Sequence, residues 1–312
     1  MSVLKIHLFG KFSVRRDAEP APGFDTLKEQ ELFSYLLINR NRPHSREALT
    51  GLLWGEVPTE KAKKYLRHAL WRLQQAVGAL LPEACGGRVL LVEHDWVQFD
   101  PKAELWLDVE VFERAFMRVH DSSGAELGAA HVEALEEAVR LYRGDLLEGW
   151  YSDWCFYERE RLQNMYLLML DKLTGHCEAR RQFELGLFYG SQILRHDRAS
   201  ERTHRQLMNL LYLSGDRTAA LRQFERCVAA LDEELDVKPD KRTVALYQRI
   251  RTDGGESAPA PEPEERREDE AAPVSLADVL GRLTQIQNIL ADVQRRVSKE
   301  IKAVKLVLDD TR

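Results

Sequence analysis

The sequence predicts a mainly α-helical chain that opens with small β-hairpins around a group of helices, continues as packed helices and closes on one long heptad-patterned helix. Three observations carry this expectation. Apolar residues recur at helical spacing through most of residues 26–251, strand-like alternation is confined to the first hundred residues, and a seven-residue apolar repeat runs over residues 276–308. With 312 residues the chain can bury more than one small core.

Over residues 3–9 and 12–14, Leu4, Ile6 and Leu8 alternate onto one face and Gly10-Lys11 can turn the chain, so a hairpin comes first. From Thr26, the residues Leu27, Leu32, Phe33, Leu36 and Leu37 keep helical spacing until Asn39, where Asn-Arg-Asn-Arg-Pro breaks it. Ser45 caps a second helix, with Ala48, Leu49, Leu52 and Leu53 as its buried face and Gly55 at its end. A third helix spans 59–80. At about 100° per residue, Ala62, Leu66, Ala69, Leu70, Leu73, Val77 and Leu80 form one apolar stripe, and Lys64, Arg67, His68, Trp71 and Gln75 lie opposite it. Pro58 precedes this helix, and Thr59 offers a side-chain oxygen to the first turn. Solvation explains the charges but not Trp71, since a large aromatic in the middle of a polar face suits a surface that meets a partner or a nucleic acid. After a Pro/Gly-containing break, residues 88–99 give two strands joined near His94-Asp95, with Val89, Leu91, Val97 and Phe99 on the buried side.

Strands, three helices and a hairpin are the order of a winged helix-turn-helix, in which the third helix enters the major groove and the hairpin touches the flanking backbone. Through TLKEQELFSYLLINRNRPHSREALTGLLW and the helix after it, the first hundred residues resemble the winged-helix DNA-binding domains of the OmpR/PhoB type. The resemblance implies double-stranded DNA as a partner, with Lys61, Lys64, Arg67, His68, Trp71, Arg72 and Gln75 at the groove or its phosphates and Arg88 on or near the wing. The turn Glu93-His94-Asp95 departs from that pattern, because two carboxylates would meet phosphate. Charge is distributed accordingly: residues 1–100 hold 14 Lys/Arg against 12 Asp/Glu, the remainder 31 against 39. A mildly acidic body would limit non-specific coating of nucleic acid.

Asp108 stands where an N-cap would, and Val109, Phe112 and Phe116 follow at helical spacing. Further helices are expected over 132–142, 153–179, 183–195, 200–214, 217–234 and 242–251, joined by loops short enough to make neighbours antiparallel. An offset of about 34 residues, the period of tetratricopeptide helix pairs, relates two of these segments. Ala220 is the small residue of a second helix, with Gly215 at the turn, Met208 on the first helix, and Phe224 and Cys227 one and two turns on; Gly186, Gly190 and Ile193 hold the equivalent places one period earlier. A small residue at a helix crossing lets two backbones approach, and stacked pairs then bury a continuous core. A plain helical bundle is the alternative.

A winged helix followed by WLDVEVFERAF, LYRGDLLEGWYSDWCFYERERL and LSGDRTAALRQFERCVAALDEELDVKPDKRTVALYQRI resembles the SARP-type regulators, in which a bacterial transcriptional activator domain follows the DNA-binding domain. The resemblance covers about residues 1–251. It implies a transcriptional regulator, an activator that binds repeated half-sites and recruits RNA polymerase through the polymerase itself or a sigma factor. Gly144-Asp145-Leu146-Leu147 and residues 150–159 look like the family's signature turn and helix, with a structural role. Trp150, Tyr151, Trp154, Phe156 and Tyr157 are expected to mark core and domain packing.

Residues 253–272 combine Pro, Gly, Ser and dense charge and read as a disordered tether. Beyond them Leu276, Leu283, Leu290, Val297 and Val304 recur as heptad a positions, with Val279, Ile286, Val293, Glu300 and Val307 as d positions. Apart from Glu300 these residues are expected to drive homo-oligomerisation to a dimer or higher, and the tail is where the chain departs from the resemblance. The expected domains are therefore 1–101 (winged helix), 102–252 (helical, tetratricopeptide-like), 253–273 (tether) and 274–310 (coiled coil).

Cys85, Cys155, Cys177 and Cys227 are widely spaced, with no Cys-x-x-Cys pair and no zinc-finger His grouping, so buried reduced thiols are expected and no metal site. MSVLKIHLFG alternates rather than forming a signal peptide, and no apolar run is long enough to span a bilayer, which points to the cytoplasm and away from membrane. The neighbours His94-Asp95, His120-Asp121 and His196-Asp197 point apart on helices and strands, and no phosphate loop or nucleophile elbow accompanies them. No enzyme activity and no cofactor are expected, and a small-molecule effector is not identified. The competing expectation is a tetratricopeptide-type scaffold or signal-sensing adaptor whose winged helix does not bind DNA.

Overall fold

Alternation in the opening residues produces β1 (Leu4–His7) and β2 (Ser13–Arg16), which pair antiparallel with Ile6 opposite Val14. Leu4, Ile6 and Leu8 are buried on one face, and Gly10 turns the chain at φ +78°, a backbone region that costs glycine nothing. The structure is a computed structural model and describes residues 4–16, 19–80, 89–103 and 105–253. The chain divides into units Met1–Gly254 and Gly255–Arg312. Cys85, Arg88, the tether beyond Asp253 and the heptad positions of residues 274–310 lie outside the described residues.

After β3 (Glu19–Pro20), the helix α1 (Leu27–Ile38) starts where Thr26 Oγ1 accepts the Glu29 N–H at 3.3 Å. A short β4 (His44–Ser45) leads into α2 (Arg46–Trp54), capped by Ser45 Oγ, which accepts the Ala48 N–H at 3.0 Å. Only Leu49 and Leu53 of the expected apolar face are buried; Ala48 is exposed, Leu52 is 39% exposed, and Thr50 takes the inner position instead. α3 (Thr59–Gly78) follows with Pro58 as its N-cap. Thr59 is thus the first helical residue, not the cap, and no side chain caps this end.

The hairpin is β5 (Leu90–Val92) and β6 (Trp96–Phe99), in register Leu90–Phe99 and Val92–Val97. Directly opposed residues share a face, so Leu90 is buried with Val97 and Phe99, and Leu91, expected inside, is turned outward and half-buried. β4 pairs with β6 to complete a three-stranded sheet in the order β4-β6-β5.

β7 (Leu105–Leu107) then returns to the first sheet and pairs parallel with β1, giving the order β3-β2-β1-β7. Asp108 is not an N-cap. It is the first residue of α4 (Asp108–Arg118), with Leu107 as the cap, and its buried carboxylate accepts N–H groups from Leu8 (2.8 and 3.0 Å), Phe9 (3.0 Å) and Val109 (2.7 Å). The side chain serves the end of β1, a contact a hundred residues away in sequence that no local cap rule contains.

A short 3-10 turn (Gly124–Glu126) and α5 (Ala129–Leu141) precede the turn at Gly144–Trp150, where Leu147 takes φ +50°. That turn pairs with the first hairpin: Gly10 N–H reaches Asp145 O at 2.9 Å, Leu147 N–H reaches Leu8 O at 2.8 Å, and Glu148 N–H reaches Gly10 O at 2.8 Å. Arg159 donates to the carbonyls of Leu146, Leu147 and Trp150, each at 2.6 Å. α6 (Asp153–Ala179), which carries Arg159, packs on α7 (Phe183–His196), then α8 (Glu201–Leu213), α9 (Arg217–Leu235) and α10 (Lys241–Thr252) follow, each packed on the one before. Of the five expected packing aromatics, Trp154 is buried and Trp150 half-buried, whereas Tyr151, ahead of α6, and Phe156 and Tyr157 in its early turns are exposed; the early turns of a long helix have one inner side only.

The small residues sit where the helix pairs cross. A Cβ built on Gly190 would lie 2.5 Å from Leu207 Cδ2, and one on Gly186 2.9 Å from Leu210 Cδ1, so these glycines let α7 approach α8. Ala220 is fully buried with Met208 and Ile250 in a separate small core, and Gly215 turns the chain at φ +91°. One larger core is continuous from Leu4 to Ile193, spanning both sheets, α1 to α3 and the first helices of the body.

Candidate nucleic-acid interface

α3 is fixed along its apolar stripe: Ala62, Leu66, Ala69, Leu70, Leu73, Val77 and the following Leu80 are all buried. Arg72 secures the same helix at its flank. Its Nη2 lies 2.9 Å from Asp25 Oδ2 and its Nε 3.1 Å from Glu29 Oε1, on a glutamate that is itself buried. With two carboxylates on its guanidinium, Arg72 holds α3 against the start of α1 and stands apart from the exposed row.

That row is Lys61, Lys64, Arg67, His68, Trp71 and Gln75, every one of them exposed. Lys63 is paired with Glu60 at 3.1 Å, whereas Lys61, Lys64 and Arg67 have no carboxylate partner among the described residues. Three uncompensated cations on one rigid face cost little in water and are available to an anionic surface. Trp71, 58% exposed, stands in the row with the His68 ring 6.2 Å away. It is held by nothing in the core, as its place opposite the stripe requires.

The hairpin turn reaches back toward this helix. Arg46 at the start of α2 donates its backbone N–H to Asp95 O at 2.9 Å and Nη1 to Glu93 O at 3.1 Å, which fixes the turn. Between them opens a cleft of about 850 Å³ walled by Ser45, Arg46, Lys63, Arg67, His94 and Asp95. The Asp95 carboxylate lies 2.5 Å from His94 Nδ1. Arg46 escaped the sequence reasoning, although a cation directly after an N-cap is unfavourable to the helix dipole and so calls for another explanation.

Other chemistry finds little support. Cys155, Cys177 and Cys227 are buried free thiols, pushed by burial to about 12, 11 and 11, and so are unreactive at neutral pH. Among the described residues no group of His, Cys, Asp and Glu could hold a metal, and no helix is long and apolar enough to cross a membrane. Among the described residues, none of His94, His120 and His196 is hydrogen-bonded through its ring to a serine, threonine or cysteine; His94 Nδ1 meets Asp95, and His196 Nδ1 is 3.0 Å from Gln163 Nε2. Arg88 lies outside the described residues; of the described ones, Arg46 at the start of α2 and His94 and Asp95 of the hairpin line this cleft.

Residues 107–251 match the family described as the bacterial transcriptional activator domain. The transcriptional regulatory protein EmbR of Mycobacterium tuberculosis is 25% identical over 259 residues, which is 79% of this chain and 63% of that protein. The regulatory protein AfsR of Streptomyces coelicolor is 27% identical over 255 residues, 79% of this chain but 24% of AfsR. The chain therefore spans less than two thirds of the length of these relatives. A solved structure of M. tuberculosis EmbR in complex with a low affinity phosphopeptide has the same fold with a TM-score of 0.61 at 21% identity, over 82% of this chain and 67% of that one.

Proposed function

We propose that this chain, which is similar through its bacterial transcriptional activator domain to the SARP-type regulators, regulates transcription by binding duplex DNA with the exposed face of α3. The observation that carries the reading is the row Lys61, Lys64, Arg67, His68, Trp71 and Gln75, exposed on a helix whose opposite side is locked in the core. A helix so held fits the major groove, about 12 Å wide, with its cations toward phosphates and its neutral side chains toward base edges. Arg46 and the cleft beside the hairpin offer a contact to the flanking backbone. The activity is activation, with RNA polymerase or a sigma factor as the protein partner, in the cytoplasm. Homo-oligomerisation through Leu276, Val279, Leu283, Ile286, Leu290, Val293, Val297, Val304 and Val307 supplies a second DNA-reading head for repeated half-sites.

The test is a titration of duplex DNA at several salt concentrations. If Lys64 and Arg67 each neutralise one phosphate, replacing both by Ala lowers the slope of log K against log salt by about 1.8, at about 0.9 per contact. An unchanged slope and affinity in a folded variant removes α3 from the interface. The second reading, an adaptor without DNA contacts, is favoured by the exposed carboxylates of Glu93 and Asp95 at the hairpin tip, and it expects no retention of the wild type on duplex DNA even at low salt.

A further inference from the structure

Away from α3, a groove runs between α7 and α9 with α8 as its floor. Two adjoining chambers of about 350 and 260 Å³ share Ser191, Leu207, Gln223 and Arg226 as walls. Arg195, Arg222 and Arg226 stand exposed around them. We propose that this groove binds an acidic, leucine-bearing segment of a partner protein. The inference stands apart from DNA binding by α3 and shares no residue with it.

The charge pattern is selective. Three arginines on or beside α8 are matched with carboxylates, Arg202 with Asp171 at 3.0 Å, Arg205 with Glu201 at 3.6 Å, and Arg198, on the same groove wall, with Glu233 and Glu234 at 3.0 and 3.7 Å, while Arg249, outside the groove, meets the Asn209 amide oxygen at 3.4 Å. The other three groove arginines have neutral partners or none. Arg195 Nη1 donates to Gln192 Oε1 at 3.3 Å, Arg226 Nη1 donates to Gln223 Oε1 at 3.3 Å, and Arg222 has no carboxylate partner among the described residues. Their charge is oriented but not neutralised.

Gln223 is built in rather than incidental. It is 5% exposed, and its amide nitrogen donates to His204 Nδ1 at 2.8 Å, while His204 Nε2 donates to Arg198 O at 2.9 Å. This chain fixes the imidazole tautomer and aims the Gln223 oxygen at Arg226, so a buried polar pair holds one guanidinium at the mouth. Below it, buried Leu207 and half-buried Leu211 on α8 give an apolar floor, with half-buried Leu194 of α7 beside them. Carboxylates suit the rim, and an aliphatic side chain suits the floor. A DNA duplex satisfies only the rim, because its phosphates bring nothing apolar to chambers of this size.

The experiment uses the full chain, a short fluorescent peptide of alternating Asp/Glu and Leu residues, and the variant Arg195→Gln/Arg222→Gln/Arg226→Gln. All three side chains are exposed, and an unchanged circular dichroism spectrum confirms the fold. Wild type is expected to bind the peptide, and the variant to bind it roughly tenfold more weakly, as three solvent-facing charge contacts are lost. A peptide with Ser for Leu is expected to bind more weakly to both proteins. No binding by wild type, or equal binding by the variant, overturns the proposal. So does a variant that loses affinity for duplex DNA but not for the peptide. The chain's own acidic stretch is checked by placing neutral amides at Glu262, Glu264, Glu265, Glu268, Asp269 and Glu270 in the full chain; if the peptide then binds more tightly, the occupant is this chain's own tail and the partner is overturned.

Discussion

Asp108 → Asn tests whether the helical body and the first sheet are joined through one buried carboxylate. Burial pushes the Asp108 carboxyl from the usual 3.8 up to about 6, against the opposing pull of the N–H groups of Phe9, Leu8 and Val109 and of the Arg143 charge. A folded-state pKa above the unfolded one means that the folded chain binds the proton more readily. The contribution is then most stabilising below the unfolded pKa and is lost as pH rises through about 6. Between pH of about 7.5 and about 4.5 the group should add about 2 kcal/mol to wild-type stability. The asparagine variant lacks that gain. Its amide also turns one N–H pair toward backbone donors, a constant loss of about 1–3 kcal/mol from unpaired buried groups. Urea unfolding of both proteins at the two pH values gives the difference, in which titrations not coupled to residue 108 cancel. The one neighbour that would not cancel is His7, with Nδ1 3.8 Å from Asp108 Oδ2 and a pKa lowered by burial, so both proteins carry His7→Gln. A pH-independent difference would refute the buried-carboxyl reasoning, and a difference of opposite slope would show that the backbone N–H groups win and keep Asp108 ionised.

Trp71→Ala should change folding stability by less than about 1 kcal/mol, against about 3–5 for a core Trp, while weakening DNA binding; a core-sized loss in urea would mean that Trp71 is packed. Gly190→Ala should destabilise by roughly 1 kcal/mol, because a Cβ 2.5 Å from Leu207 Cδ2 must displace a buried side chain and overpacking outweighs the helix-propensity gain. Leu207→Val in the same chain should recover part of that loss, and a stabilised Gly190→Ala would show that the crossing has room. Ending the chain at Gly254 should lower the mass measured by light scattering and reduce affinity for a two-site operator far more than for one half-site; a full-length monomer at micromolar concentration contradicts oligomerisation through the heptads.

The helices of the body were legible to within a few residues because each is long and its apolar period is supported by many positions, as in α6 and α9. The face of α3 was legible for the same reason. Elements held by distant pairing were not. β7 reads as an apolar tail, since nothing local reveals that Leu105 and Leu107 will lie beside Leu4 and Ile6. Alternation from Val89 points Leu91 inward, but the pairing of Val92 with Val97 across the turn sets the register and moves Leu90 inward instead. Arg72 looked like its cationic neighbours, and only the fold shows Asp25 and Glu29 waiting for it.

These non-local contacts have a mechanical consequence for the proposed function. The first hairpin is hydrogen-bonded to β7, to Asp108 and to the Gly144–Trp150 turn, and Arg159 ties that turn to α6. On the other side α1 joins the body through buried Glu31, which accepts from Ser152 and from Trp154 Nε1, and through Arg40, which shares Glu113 with Arg161. α3 in turn is fixed to α1 by Arg72 and the common core. A force applied at α6 therefore has a continuous hydrogen-bonded and apolar route to α3. If a partner engages the body, it meets the helix proposed to face DNA as part of one core, so such a partner would change where the α3 surface is carried more than what that surface contacts. Weakening the seam at Asp108 should then uncouple the two effects, leaving half-site affinity near that of wild type while reducing activation in a promoter assay.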